Sequence, residues 1–109
     1  MRIAVFVAAL GLVLFSAPIV GVDRPRAKTH TVAMVGMQFK PKVLAIAPGD
    51  TVVWVNQDIV AHTATSTAGG FDSKAVAPEK RWKVTVRKKG EFPYVCTYHP
   101  LMTGTLRVK

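Results

Sequence analysis

The stretch YVCTYHPLM at residues 94–102 contains the only cysteine of the chain. Cys96 precedes His99 by three positions, and His99 precedes Met102 by three. Tyr94 and Cys96 point to the same side of a strand, so a core Tyr94 would turn Cys96 inward at the strand's end. We expect His99 and Met102 on the connecting loop, where two-residue gaps allow all three side chains to face one point.

The sequence around this stretch indicates an all-β fold. Short alternating or β-branched runs recur between turn signals after residue 28, and no helical period runs for long. We predict strands at 29–35, 42–47, 51–56, 61–65, 81–87, 92–97 and 104–109, with an irregular or short helical connection at 71–80. In RWKVTVR the basic side chains should face water, and Trp82, Val84 and Val86 should line the core. This spacing is typical of a Greek-key β-sandwich or barrel.

If Cys96, His99 and Met102 bind a metal ion, a fourth ligand should come from elsewhere in the fold. The chain has three histidines, and His62 follows the predicted strand TVVWVN. A thiolate, two imidazoles and a weak axial thioether form the ligand set of a blue, type 1 copper centre. Such a mixture holds both Cu(I) and Cu(II) with little rearrangement, and the chemistry that it permits is one-electron transfer.

Other interpretations of these residues stay open at this point. Cys96 is also compatible with a small buried core residue, and Met102 with core packing. A zinc site with Cys96, His62 and His99 would leave the methionine unexplained, because methionine is a poor zinc ligand. His30 has no neighbour at ligand spacing, and we expect it to be an exposed residue early in a strand.

The N-terminal segment MRIAVFVAALGLVLFSAPIVGV is typical of a secretory signal, with a basic start, an apolar middle and small residues before Pro18. Cleavage after Ala17, Gly21 or Ala27 is open, and an uncleaved membrane anchor is the alternative. We therefore assign residues 1–27 to a signal peptide and short linker and 28–109 to one domain. The protein is expected to be periplasmic or otherwise exported, where a lone cysteine is a reactive thiol, an intermolecular bridge or a metal ligand.

Charge favours an acidic partner. Residues 28–109 carry twelve basic and five acidic side chains, a formal charge of +7, which speeds encounter with acidic surfaces. Nucleic acid is not expected as a partner, because the protein is predicted to be exported and has no motif for reading DNA or RNA. We expect a monomer. The basic residues available for steering are Lys40, Lys42, Lys74, Lys80 and residues 87–89.

The segments GEFPYVCTYHPLMTGTLRVK and MQFKPKVLAIAPGDTVVWVNQDIVAHTAT resemble the cupredoxins, within them the plastocyanin, pseudoazurin and amicyanin group. The short CTYHPLM segment resembles the amicyanin loop most closely, and the likeness covers about residues 30–109. The resemblance implies one copper ion bound by His62, Cys96, His99 and Met102. Two positions depart from the family pattern: Thr63 replaces an Asn that ties the ligand loops, and Pro78-Glu79 replaces Pro-Gly. We expect the Thr63 hydroxyl to make one such bond but not two, and the connection before RWKVTVR to turn differently.

Three functions follow from these observations. The first is a small electron carrier between redox proteins, with an acidic cytochrome or dehydrogenase as partner. The second is a periplasmic copper-binding or copper-delivery protein, although no Met-rich or His-rich tract of the kind used for ion exchange is visible. An enzyme is not expected, because multicopper chemistry needs further clustered histidines and a hydrolytic Cys96–His99 pair would leave His62 and Met102 idle.

Overall fold

The computed structural model describes residues 26–109 together with Ala4, Gly11 and Leu12. Its strands, in chain order, are β1 (Thr29–Val35), β2 (Gln38–Lys40), β3 (Val43–Ile46), β4 (Asp50–Asn56), β5 (Thr65–Ser66), β6 (Arg81–Val86), β7 (Gly90–Cys96) and β8 (His99–Val108). No helix occurs among these residues. The described part of the chain therefore contains no helix long and apolar enough to span a membrane.

The eight strands form two four-stranded sheets, in the orders β2-β1-β4-β6 and β3-β8-β7-β5. The pairs β1 with β4 and β3 with β8 are parallel, and the other neighbours are antiparallel. Parallel neighbours require crossover connections between the sheets, which is how the chain encloses one core between two layers. The predicted all-β sandwich is confirmed.

An aromatic cluster fills the space between the sheets. Strand β4 alternates strictly, and its inward-facing Trp54 is fully buried. Tyr94 of the opposite sheet meets Trp54 edge to face at a centroid distance of 5.4 Å and Phe39 at 4.6 Å. Both contacts lie in the favourable range for edge-to-face aromatic pairs. Trp82 and Val84 of β6 pack against this core while Arg81, Lys83 and Thr85 are exposed, as the alternation of RWKVTVR predicts.

The structure corrects the prediction in the first half of the chain. The three-residue strand β2 was not predicted, because Pro41 and two lysines mask its single inward residue, Phe39. Gly36 and Met37, with φ of 60° and 58°, turn the chain between β1 and β2. Further along the chain, only Thr65 of the predicted strand at 61–65 lies in a strand, β5.

The connection at 71–80 contains no helix. It runs antiparallel to the preceding loop through isolated bridges between His62 and Val76 and between Thr65 and Asp72. Glu79 has a φ of 66°, in the left-handed region that favours glycine. The backbone at this position therefore adopts a conformation that a glycine would adopt at lower cost, and whether the turn differs from the family's stays a prediction.

The predicted signal peptide and linker, residues 1–27, lie outside the described residues except for Ala4, Gly11, Leu12, Arg26 and Ala27.

Candidate metal centre

His62 lies on a loop that buried hydrogen bonds hold in place. At the end of β4, the Asn56 side-chain amide donates to the carbonyl oxygens of Val60 and Val76 at 2.8 and 2.9 Å. The backbone of His62 exchanges two hydrogen bonds with that of Val76, of 3.2 and 2.7 Å. Asn56 and His62 are both fully buried. The imidazole therefore has little freedom before any metal binds.

Cys96 ends β7 and is fully buried, on the same side of the strand as Tyr94. This confirms the inward direction predicted for its thiol. The backbone N–H of Thr63 donates to Cys96 Sγ at 3.3 Å. This hydrogen bond joins the segment that carries His62 to the end of β7.

Thr63 ties the two ligand-bearing loops together more strongly than expected. Its hydroxyl oxygen accepts the backbone N–H of Thr97 at 2.9 Å and lies 3.2 Å from the Thr97 hydroxyl. The Thr65 hydroxyl also donates to it, at 3.0 Å. The expectation of a single bond was wrong, because a hydroxyl has two lone pairs as well as a proton.

His99 and Met102 lie within strand β8 and not on a loop, which corrects the prediction. Cys96 pairs directly with His99, so Thr97 and Tyr98 alone make the turn. The next registered pair is Val95 with Thr103, which leaves residues 100–102 as a bulge in β8. The bulge lets the half-buried His99 and the buried Met102 belong to one strand that still pairs with β7.

The ligand atoms of His62, Cys96 and His99 lie within 4.8 Å of one another. Cys96 Sγ is 3.7 Å from His62 Nδ1 and 3.6 Å from His99 Nδ1. An ion about 2.0 Å from each imidazole nitrogen and about 2.3 Å from a thiolate, bound at angles between tetrahedral and trigonal, would separate sulfur from nitrogen by about 3.5–3.7 Å. The three residues therefore fit one metal ion. With Met102 they make the donor set of a type 1 copper site.

Asp58 is a residue of the site that the sequence analysis missed. Its Oδ2 accepts the Nε2–H of His62 at 2.7 Å. Burial of Asp58 opposes its ionisation, but hydrogen bonds from the Met37 amide, His62 and the Gly36 amide outweigh burial and lower its pKa. Its place four residues before His62 is the one sequence signal that could have indicated it.

His30, the third histidine, lies away from the metal centre. Its Nε2 is 2.8 Å from Asp50 Oδ2, and its side chain is partly buried. It was expected to be exposed, and the carboxylate that holds it accounts for the difference. The group whose ligand atoms converge consists of His62, Cys96 and His99.

An apolar surface surrounds the exposed edge of His99. Leu101 is 99% exposed and Tyr98 54% exposed, and both line a shallow groove with Met37, His99 and Pro100. Lys42 borders the adjoining groove, which Leu101 and Met102 also line. We call Met37, Tyr98, Pro100 and Leu101 the His99 patch.

Comparison with known proteins agrees with this geometry. Residues 3–108 match the model of the cupredoxin-like domain. Amicyanin from Paracoccus versutus is 27% identical over 97 residues, 84% of this chain and 73% of that protein. Amicyanin from Paracoccus denitrificans is 30% identical over 78 residues, 67% of this chain and 60% of that protein.

Solved structures show the same likeness. A point mutant of amicyanin in its oxidised state superposes with a TM-score of 0.71 at 27% identity, over 74% of this chain and 82% of that one. A copper-containing nitrite reductase from Thermus scotoductus SA-01 superposes with a TM-score of 0.70 at 35% identity, over 74% of this chain. The aligned part is only 22% of the reductase chain.

Proposed function

Because the chain belongs to the cupredoxin-like domain family, we propose that it is an exported blue copper protein that carries single electrons between redox partners. The observation that carries the proposal is the buried Cys96 thiol with two imidazole nitrogens 3.6 and 3.7 Å away. In this proposal His62, Cys96, His99 and Met102 bind one copper ion. When bound, the ion supplies one-electron exchange by cycling between Cu(II) and Cu(I).

The protein's part in this function is to hold the ligands in one arrangement for both oxidation states. Asn56 and Val76 fix the His62 loop, and Thr63 joins that loop to the turn after Cys96. Preorganised ligands keep the rearrangement between the two states small. This favours electron carriage over copper delivery, which requires ligands that exchange.

We propose a carrier and not an enzyme. Of the three histidines in the chain, two belong to the candidate site and His30 is held by Asp50. The activity in the name of the nitrite reductase belongs to a chain of which this protein matches about a fifth. Export, to the periplasm or beyond, rests on the apolar N-terminal segment of the sequence.

The electron is proposed to leave through the exposed edge of His99. The His99 patch offers an apolar docking surface, and Lys42 at its border favours an acidic partner such as a cytochrome or dehydrogenase. Residues 87–89 follow the end of β6 that pairs with Asp50, whereas His62 follows the opposite end of β4. This basic run therefore lies at the far end of the domain, where it contributes general attraction and no contact at the patch.

Electron carriage and copper delivery are separated by cycling the copper-loaded protein at an electrode in the presence of a Cu(I) chelator. We expect a reversible one-electron wave and full recovery of the visible spectrum after several cycles. Transfer of the copper to the chelator at the first reduction would contradict electron carriage and support delivery.

Leu101→Glu tests the docking surface. A buried charge in an apolar interface is costly, so reduction by a cytochrome c of net negative charge should slow by about tenfold or more. The visible spectrum should not change, because Leu101 is no ligand. Thr31→Glu, on the exposed outer face of β1, is the control for the added charge. Equal rates for the two variants would remove the patch from the proposed function.

A further inference from the structure

The Asp58 carboxylate accepts three N–H groups from two separate parts of the chain. Its Oδ1 accepts the Gly36 amide at 2.8 Å, and its Oδ2 accepts the Met37 amide at 3.0 Å and His62 Nε2 at 2.7 Å. Its side chain is 15% exposed. A carboxylate has two oxygens and about four lone pairs, so it can satisfy all three donors, whereas an amide side chain has only one acceptor oxygen.

Asp58 is itself fixed by the buried end of β4. Its backbone N–H donates to Asn56 Oδ1 at 2.9 Å, while the Asn56 amide group holds the loop that leads to His62. The carboxylate is therefore held in place by the same buried residue that positions the ligand. Such a partner fixes the ring orientation and the tautomer of a metal-binding histidine and makes it a stronger donor. With the proton on Nε2, the lone pair of His62 Nδ1 faces Cys96.

The other end of these contacts reaches the His99 patch. Gly36 and Met37 both adopt left-handed conformations, and for Met37 this conformation is disfavoured. The two hydrogen bonds to Asp58 offset that cost. Met37 lines the groove next to His99 and Leu101. One anion thus connects the turn at the docking surface with the buried half of the metal centre.

We propose that Asp58 is a positioning residue that orients His62 for copper and, through the same carboxylate, holds Met37 in the docking surface. The proposal rests on the proposed function in taking copper as the metal. Negative charge behind His62 favours Cu(II) over Cu(I), so Asp58 lowers the reduction potential. It also ties the shape of the patch to the geometry of the centre.

Asp58→Asn tests the proposal because the asparagine amide keeps the shape of the carboxylate but replaces one acceptor oxygen with an NH2 donor. At least one of the three N–H groups then faces another donor. Loss of such an outer partner costs about 10–100-fold in metal affinity. We expect a Cu(II) affinity lower by this factor and a smaller loss for Cu(I). The potential should rise by about 59 mV for each tenfold difference between the two losses, the value for one electron. Glu91→Gln is the control, since Glu91 is an exposed carboxylate paired with Arg107.

A second measurement needs no metal. In the copper-free protein, the His62 Nε2 proton should give a slowly exchanging NMR resonance, and Asp58→Asn should remove it and shift the Met37 amide signal. Glu91→Gln should change neither. If Asp58→Asn keeps the resonance, the Cu(II) affinity and the potential of the wild type, the positioning role is overturned while the blue copper assignment stands. A wild type that gains no blue colour with bound Cu(II) would overturn both.

Discussion

Two histidine–carboxylate pairs lie at opposite ends of the sandwich, and only one of them belongs to the candidate metal centre. His62 contacts Asp58 at 2.7 Å, and His30 contacts Asp50 at 2.8 Å. The two contacts are nearly equal in length, and in both a backbone amide also donates to the carboxylate. A histidine–carboxylate pair alone therefore does not indicate a metal site.

The difference lies in what faces the other side of each imidazole. The ring of His62 is fully buried and its second nitrogen faces Cys96, with the ring of His99 5.1 Å away. At the other end, the Asp50 carboxylate accepts the backbone N–H groups of Lys28 and Ala47. These hydrogen bonds hold the start of β1 against the turn before β4. One pair orients a ligand, and the other closes the end of a sheet.

The largest expected effect separates the two histidines directly. His62→Ala should lower Cu(II) affinity by at least about 100-fold, the upper end of the cost of losing an outer partner, because it removes a ligand itself. His30→Ala should leave the affinity unchanged. Isothermal titration with Cu(II) gives both values. Similar losses in the two variants would erase the distinction between the two pairs.

Gly104→Ala should strain the core at the end of the sandwich that contains the candidate metal centre. A Cβ at Gly104 would overlap Tyr94 Cζ and lie 2.6 Å from its hydroxyl oxygen. The Tyr94 ring cannot move aside, because Phe39 and Trp54 pack against it. Overpacking of this kind costs about 1–3 kcal/mol, which thermal unfolding of the copper-free protein would measure. Thr103→Ala, at the exposed neighbouring position, is the control; a Gly104→Ala variant as stable as this control would contradict the packing described here.

The smallest expected effect concerns the His30–Asp50 pair at low pH. Hydrogen bonds from the Lys28 amide, His30 and the Ala47 amide lower the pKa of Asp50 from 3.8 to about 2. A carboxyl whose pKa is lower in the folded state stabilises the fold above its ordinary pKa, and that contribution is lost as the pH falls from about 3.8 towards 2. Asp50→Asn should therefore be less stable than the wild type at pH 6, and the difference in unfolding free energy between the two proteins should become smaller as the pH falls from about 3.8 towards 2. Urea unfolding of the copper-free proteins measures this difference; one that stays constant to pH 2 would argue against the ionised pair.

Most of the fold was predictable because burial follows a period of two along the strands. The alternation in RWKVTVR and the β-branched run TVVWVN identify β6 and β4 within one residue at each end. Cys96, His99 and Met102 were candidates because of their spacing, and His62 because it follows the strand TVVWVN in a chain with three histidines. The confirmed cupredoxin resemblance depends on the same residues.

What the sequence did not reveal are contacts between residues far apart in the chain. Asp58 follows a strand in a polar loop, and its amide partners Gly36 and Met37 are more than twenty positions away. The bulge at 100–102 arises from the register between β7 and β8, which depends on the packing of both strands. Strand β2 is too short to show a period.

Cys96 and the imidazoles of His62 and His99 are proposed to bind Cu(II) as a blue copper centre. The visible absorption spectrum of the wild-type protein with one equivalent of bound Cu(II) tests it most directly. We expect an intense thiolate-to-copper band at about 600 nm, the region typical of this ligand set, and its loss in Cys96→Ser. A wild-type protein that binds Cu(II) and stays colourless, or a Cys96→Ser variant that keeps the band, would contradict the assignment.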